Sequence, residues 1–320
     1  MQTRTLRRRS RKTLLFTGGG GAGTQAMLRL LRGSYDVHFA DADSDAKPYP
    51  VRSGSWHVIP MASAPEFIGQ LRRLCRDLSV DVLVPGVDEE LLPISRARDT
   101  LPCDVLLPST GFIETHLDKL ASHERLRARG LPTPATESLS DHRKIPFPCI
   151  VKPRRGRGSR DVAVVRAEDE LRAHLVLCRR PPADFIVQEL LEGQEYTVTV
   201  VADRGRILRA VVPVKVGIKR GITLRAETHH DDAVMAACTS IHAADPVAGC
   251  FNIQLFKTAS GDVKPFEINP RISTTACLAL AAGVDFVGCY LGGGRRDRRG
   301  LAAFRDGLRL RRSWHNQFLA

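Results

Sequence analysis

Two apolar stretches late in the chain, Phe251-Asn-Ile-Gln254 and Lys264-Pro-Phe-Glu267-Ile-Asn269-Pro-Arg271, restrict its fold more than any other feature. The segment between them, Ala259-Ser-Gly-Asp262, reads as a turn, which makes the two strands antiparallel neighbours. Strand alternation then puts Glu267 and Asn269 on one face, with Gln254 able to sit opposite them. Three oxygen donors and one guanidinium are thereby gathered in a small volume. Hard divalent cations such as Mg²⁺ take oxygen ligands and leave positions for water and phosphate, so the group suits a metal–nucleotide site. Arg271 is placed for a bidentate grip on a phosphate or an acyl phosphate. The plain alternative is a hairpin with a solvated polar face, but such a cluster beside apolar strands would be costly.

The chain has 320 residues, 43% hydrophobic and 26% charged, which suggests two domains or one large two-lobed one. No apolar run approaches the roughly 18 residues of a membrane helix. The first 110 residues alternate. Thr13–Thr17 reads as a strand, Thr24–Arg32 as a helix, 36–40 as a strand, Pro65–Leu78 as a helix, Val80–Val84 as a strand, 88–98 as a helix and Asp104–Leu107 as a strand. This order predicts a parallel sheet with helices on its faces. A helix over Thr115–Arg129 follows, stopped by Gly130 and Pro132. The remainder is strand-rich, with strands at 147–153, 162–165, 186–189, 196–202, 207–214, 250–256 and 264–269 and helices at 168–177 and 231–242. The fold class expected is α/β followed by α+β.

The net charge of +13 sits at the ends: residues 1–12 carry +6 and residues 295–312 another +6. Solvated basic tails account for this as well as nucleic-acid binding does, so nucleic acid is not the expected partner. The eight cysteines are scattered without a Cys-x-x-Cys pair, which reads as buried free thiols in a reducing compartment. The basic start followed by Leu14-Leu15-Phe16 mimics a signal peptide, but four glycines end the apolar part at once. A cytoplasmic location is expected.

Gly18-x-Gly20-x-x-Gly23 lies between a strand and a helix, with Asp41 eighteen residues later, and matches a dinucleotide fingerprint. Taken alone it points to an NAD-dependent oxidoreductase. The same loop serves wherever a strand turns tightly into a helix, so a substrate-facing or structural role is the stronger reading.

Asn252-Ile-Gln254 and Glu267-Ile-Asn269-Pro-Arg271 together resemble the metal-binding strands of the ATP-grasp superfamily. The likeness is greatest to the nucleotide-binding units of carbamoyl phosphate synthase large subunits and to stand-alone carboxylate–amine ligases, over about residues 13–290. The resemblance implies an ATP-grasp fold: a Rossmann-like pre-ATP-grasp domain at 13–112, a linker helix and small lobe at 113–188, and a large lobe with the Mg²⁺ site at 189–292. A basic flexible tail at 1–12 and a basic C-terminal segment at 293–320 flank them. It further implies ATP with two Mg²⁺ ions, for which Mn²⁺ can substitute, held by Gln254, Glu267 and Asn269. Lys119 and Lys152 would meet phosphates, and Gly156, Gly158 and Ser159 would belong to a lid over them, here crowded by Arg154, Arg155, Arg157 and Arg160. Glu189, Leu190 and Leu191 would read adenine, and Glu195 would take the ribose. Arg271 and Lys152 would act on the transferred group.

The implied reaction is ATP-dependent: a carboxylate activated as an acyl phosphate and captured by an amine, in the synthesis of a small metabolite or short peptide. Asp88 and Glu89, with Glu90 beside them, could hold the amine, because open α/β sheets bind ligands at the ends of their strands; acidic capping of the helix explains the same letters. Lys215 and Arg225, with Lys219 and Arg220, could receive a carboxylate from a loop over the site. His229, His230 and His242 read as surface or cap histidines rather than bases. A homodimer is compatible with the sequence. The rival classes are the oxidoreductase above and a non-catalytic ATP-binding protein.

Overall fold

The computed structural model describes residues 11–139, 144–293 and 300–313. The first unit is the alternating one: β1 (Lys12–Thr17), α1 (Thr24–Leu31), β2 (Tyr35–Asp41), β3 (Trp56–Val58), α2 (Phe67–Asp77), β4 (Val82–Val84), α3 (Asp88–Arg96) and β5 (Asp104–Val105). Its strands form a sheet in the order β3-β2-β1-β4-β5, and every pairing is parallel. The parallel sheet is as expected; the short edge strand β3 lies in a stretch without clear alternation.

The helix expected over Thr115–Arg129 is instead two, α4 (Thr110–Leu117) and α5 (Lys119–Ala128), broken at Asp118. Asp118 is extended and its carboxylate accepts hydrogen bonds from the Leu120 and Ala121 amides, a capping arrangement that restarts the helix. Gly130 ends the second helix with φ +69°, the left-handed geometry that glycine permits.

A four-stranded sheet follows, built from β6 (Thr136–Ser138), β7 (Cys149–Pro153), β8 (Ala163–Val165) and, after α6 (Glu168–Cys178), β9 (Phe185–Glu189). Its order is β6-β9-β7-β8, antiparallel throughout. It has its own core of Ile145, Cys149, Val151, Val165, Leu171, Phe185 and Val187.

The third sheet has the order β14-β13-β10-β11-β12-β15, again antiparallel. It comprises β10 (Gln194–Ala202), β11 (Leu208–Arg220), β12 (Ile222–Thr228), β13 (Gly249–Lys257), β14 (Val263–Asn269) and β15 (Arg309–Arg311), with α7 (Asp232–Ala244), α8 (Ala276–Ala281) and α9 (Phe286–Tyr290) between strands. One core joins it to the parallel sheet: Leu14, Phe16 and Val37 pack in one cluster with Val201, Val212, Cys250 and Phe286. Burying these faces together fixes the two sheets relative to one another.

Two expectations are corrected here. Residues 215–225 are not a loop but the long hairpin of β11 and β12, turned at Gly221 with φ +68°. The basic ends are not wholly tails. Lys12 opens β1 and pairs with Asp81, while Leu301 and Ala302 are buried and β15 extends the large sheet. Arg4, Arg7, Arg8, Arg9 and the arginines at 295–299 lie outside the described residues. None of the eight cysteines is joined in a disulfide among the described residues, and six are buried. No helix among the described residues is long and apolar enough to cross a membrane.

Candidate active site

A cavity of about 1090 Å³ opens where the three sheets meet. On its large-sheet wall β13 and β14 place Gln254 opposite Glu267 and Asn252 opposite Asn269, and all four residues line the cavity. The hairpin was legible because its alternation is regular up to this point. The register then slips after Gln254, which leaves Phe266 without a ladder partner. Its freed carbonyl accepts a hydrogen bond from Lys152 Nζ at 3.2 Å.

Three lysines converge here from three elements. Lys119, at the start of α5, lies 3.3 Å from Glu267 Oε1 and donates to the Gly156 carbonyl. Lys152, buried on β7, donates to Gln188 Oε1 at 2.9 Å. Lys219, near the end of β11, donates to Glu195 at 2.6 Å and lies 3.4 Å from Gln254 Oε1. Burial opposes ionisation of Glu267, but Lys119, Lys152 and Lys219 outweigh it and hold the carboxyl below its usual range. Burial, together with Lys119 and Lys219 and against Glu267, pulls the Lys152 ammonium down to about 8.

Among the described residues no group of three or more His, Cys, Asp or Glu side chains is placed to hold a metal. The candidate set is one carboxylate with amide oxygens, and Asn252 Oδ1 is buried without a hydrogen-bond partner. Oxygen donors with an orphaned amide oxygen fit a hard cation that draws its remaining ligands from phosphate and water.

The loop at 154–160 spans part of the rim. Gly156, Gly158 and Ser159 line the cavity, all at positive φ. Its arginines divide. Arg154 and Arg155 turn to Asp118, Arg157 pairs with Glu89 at 3.2 Å, and Arg157 and Arg160 line the cavity. Glu189, Leu190, Leu191 and Glu195 also line it, with Glu189 paired to Lys264 at 2.9 Å.

The wall contributed by the parallel sheet has the opposite character. Gly18, Gly20, Asp41, Asp43, Glu89 and Glu90 line it. A Cβ at Gly19 would lie 2.9 Å from Phe39, and one at Gly20 would lie 2.5 Å from Ala46, so close packing accounts for these glycines. Asp41 receives the Gly20 amide at 2.8 Å and the Asp43 amide at 3.1 Å, tying the loop to β2. Glycines and acid thus have a local structural explanation, and the dinucleotide reading has no support. Glu90 is buried and accepts a hydrogen bond from Thr17 Oγ1; burial, with Asp41 and Glu89, pushes its carboxyl up to about 7.

Of the residues singled out from sequence, the cavity gathers Lys119, Lys152, Gly156, Gly158, Ser159, Glu189, Leu190, Leu191, Glu195, Gln254, Glu267, Asn269, Arg271 and Glu89. Asp88 is held behind it by Arg271. Lys215 and Arg225 do not line it. Between Val216 and Ile218 one extra residue enters β11, which reverses the faces, so of the basic residues expected over the site Lys219 lines the cavity and Lys215 does not. His242 is buried against the Val247 carbonyl, and His229 stacks on Tyr196, both away from the cavity. Glu90 and Lys219 were undervalued, and Asn252, although part of the Asn-x-Gln strand, was not counted among the metal ligands; its orphaned Oδ1 sets it beside them.

Residues 181–313 match the family model described as ATP-grasp in the biosynthetic pathway with Ter operon. A formate-dependent phosphoribosylglycinamide formyltransferase of Bifidobacterium longum is 25% identical over 300 residues, 84% of this chain and 74% of that protein. A carbamoyl-phosphate synthase of Methanobrevibacter smithii is 23% identical over 143 residues, 40% of this chain and 36% of that protein. Among solved structures, the carboxyaminoimidazole ribonucleotide synthase of Aspergillus clavatus in complex with ATP superposes with TM-score 0.72 at 17% identity, covering 92% of this chain and 80% of that one. The chain carries an ATP-grasp domain and has the ATP-grasp fold.

Proposed function

We propose that this chain is an ATP- and Mg²⁺-dependent ligase that joins a carboxylate to an amine through an acyl phosphate. The observation that carries the reading is Glu267, an ionised carboxylate largely buried among Lys119, Lys152 and Lys219 beside Gln254, Asn252 and Asn269. Such a mixture of fixed cations and oxygen donors suits a polyphosphate with its counter-ion and little else. Gln254, Glu267 and Asn269 would hold the metal, which when bound neutralises phosphate charge. Lys119 and Lys152 would neutralise the phosphates. Glu189, Leu190 and Leu191 would receive the base, and Glu195 the ribose once Lys219 turns from it.

Phosphoryl transfer needs positioning and charge more than covalent help. A carboxylate oxygen attacks the γ-phosphorus, the bond to the bridging β–γ oxygen breaks, and ADP leaves. The amine nitrogen then attacks the acyl carbon, the C–O bond breaks, and inorganic phosphate leaves. Arg271, held by Asp88, is placed to meet charge on the transferred group. The amine must shed a proton, and Glu90, pushed up to about 7, is suited to take it. The acidic wall of Asp41, Asp43, Glu89 and Glu90 favours a cationic amine over a phosphorylated one.

The test is an ADP-release screen over small acids paired with amines, read by product mass, with thermal shift by Mg-ATP measured alongside. Charge reversal by Glu267→Lys is expected to abolish both the shift and the release. Retention of either overturns the reading, and nucleotide binding without release under every mixture indicates a non-catalytic protein.

A further inference from the structure

Arg312 follows the last strand, in the Arg-rich C-terminal segment whose charge has no part in the chemistry above. Arg309 and Arg311 are exposed, whereas Arg312 is half-buried. Its guanidinium donates to three main-chain carbonyls from three separate segments: Nε to Thr223 at 2.8 Å, one terminal nitrogen to Ala22 at 2.5 Å and the other to Thr274 at 2.5 Å. Ala22 belongs to the glycine loop after β1, Thr223 to the β12 side of the hairpin that carries Lys219, and Thr274 to the segment that follows Arg271. All three residues line the cavity. The glycine loop and the 274 segment also lie close together: a Cβ added at Gly23 would come within 3.5 Å of the Thr274 carbonyl.

We infer that Arg312 is a positioning residue: through these three carbonyls it sets the spacing between the glycine-loop wall and the large-sheet wall where the second substrate is received. Only a planar fork with five N–H donors can address three carbonyls in fixed, divergent directions; an ammonium is a point charge on a flexible stem. The backbone amide of Arg312 bonds the Leu224 carbonyl at 2.9 Å, so the fork is launched from a fixed main chain. The C-terminal segment thereby works as a clamp, and one of its arginines has a role that net charge does not reveal.

Hydrogen–deuterium exchange on the full chain tests the clamp without relying on the proposed reaction. Arg312→Ala and Arg312→Lys should each speed exchange in residues 18–23, 221–224 and 273–275, while residues 149–165 of the small sheet and an Arg311→Ala control stay at wild-type rates. Where the ligase reading holds, both variants should raise KM for the amine on the order of tenfold, a misplacement effect, with KM for ATP within about twofold. Added methylguanidinium should recover part of the loss in Arg312→Ala. Unchanged exchange in the three segments, exchange that spreads to the small sheet, equal rises in both KM values, or full recovery by lysine would each overturn the inference. If the wild-type chain turns over no substrate pair, the exchange arm alone decides.

Discussion

The two walls of the cavity are built on opposite electrostatic plans. On the large-sheet side three lysines surround one ionised carboxylate and stabilise it, while burial and their mutual repulsion lower the pKa of the Lys152 ammonium. On the parallel-sheet side Asp41, Glu89 and Glu90 stand close together without a buried lysine among them, and the burden falls on Glu90, which rises to about 7. One wall is thus prepared for a polyanion and the other for a cation, which divides the labour of a reaction that consumes both.

The largest effect should come from the basic wall. Lys152→Met removes a buried ammonium that holds the Phe266 carbonyl and Gln188, and should cut turnover by about 10²–10³-fold, measured as ADP release. In the wild type, ATP affinity should fall as pH rises through about 8, where the ammonium is lost. Stability should move the other way. The folded pKa lies below that of free lysine, so the unfolded chain binds more protons between about 8 and roughly 10.4, and the fold gains over that window.

A smaller effect is expected from the acidic wall. Glu90→Gln should lower kcat by about tenfold to a hundredfold and remove an acid limb near pH 7 from the rate profile. The same substitution should stabilise the fold above pH 7 by about 1–3 kcal/mol. Here the folded pKa is raised, so the wild type is favoured below the unfolded value of roughly 4.3 and loses stability as pH climbs from there through about 7. Chemical denaturation at pH 5 and 8 checks the sign; a variant with unchanged pH dependence would remove the contrast between the walls.

The smallest effect belongs to the lid. Arg155 is 65% exposed and 3.5 Å from an Asp118 already engaged by Arg154, so Arg155→Ala should leave ATP affinity within about twofold. A larger loss would place it among the phosphate-binding cations and extend the basic wall over the rim.

The parts of this site that were legible in the sequence are those where local rules run undisturbed. Gln254, Glu267 and Asn269 could be placed because alternation and a Ser-Gly-Asp turn specify a hairpin without tertiary help. Asp118 was hidden inside an unbroken helical pattern, because a capping aspartate and a mid-helix aspartate are spelled alike. The β11–β12 hairpin looked like a loop, because Gly217, Gly221 and their basic neighbours suggest exposure. The raised carboxyl of Glu90 comes first from burial in the folded chain and then from Asp41 of β2, more than forty positions away in the chain. Arg312 was concealed by composition, one arginine among many at a chain end.

The extra residue in β11 has a consequence for how such a chain could diversify. Removing Gly217 would restore strict alternation beyond Val216, turning Lys219 outward and presenting its aliphatic neighbour Ile218 to the cavity. A single codon deletion would therefore exchange an ammonium for a hydrocarbon on the wall and reverse Arg220 along with it, while the strand before Val216 keeps its faces. The length of this strand, as much as the identity of its residues, decides which group the hairpin turns toward the cavity.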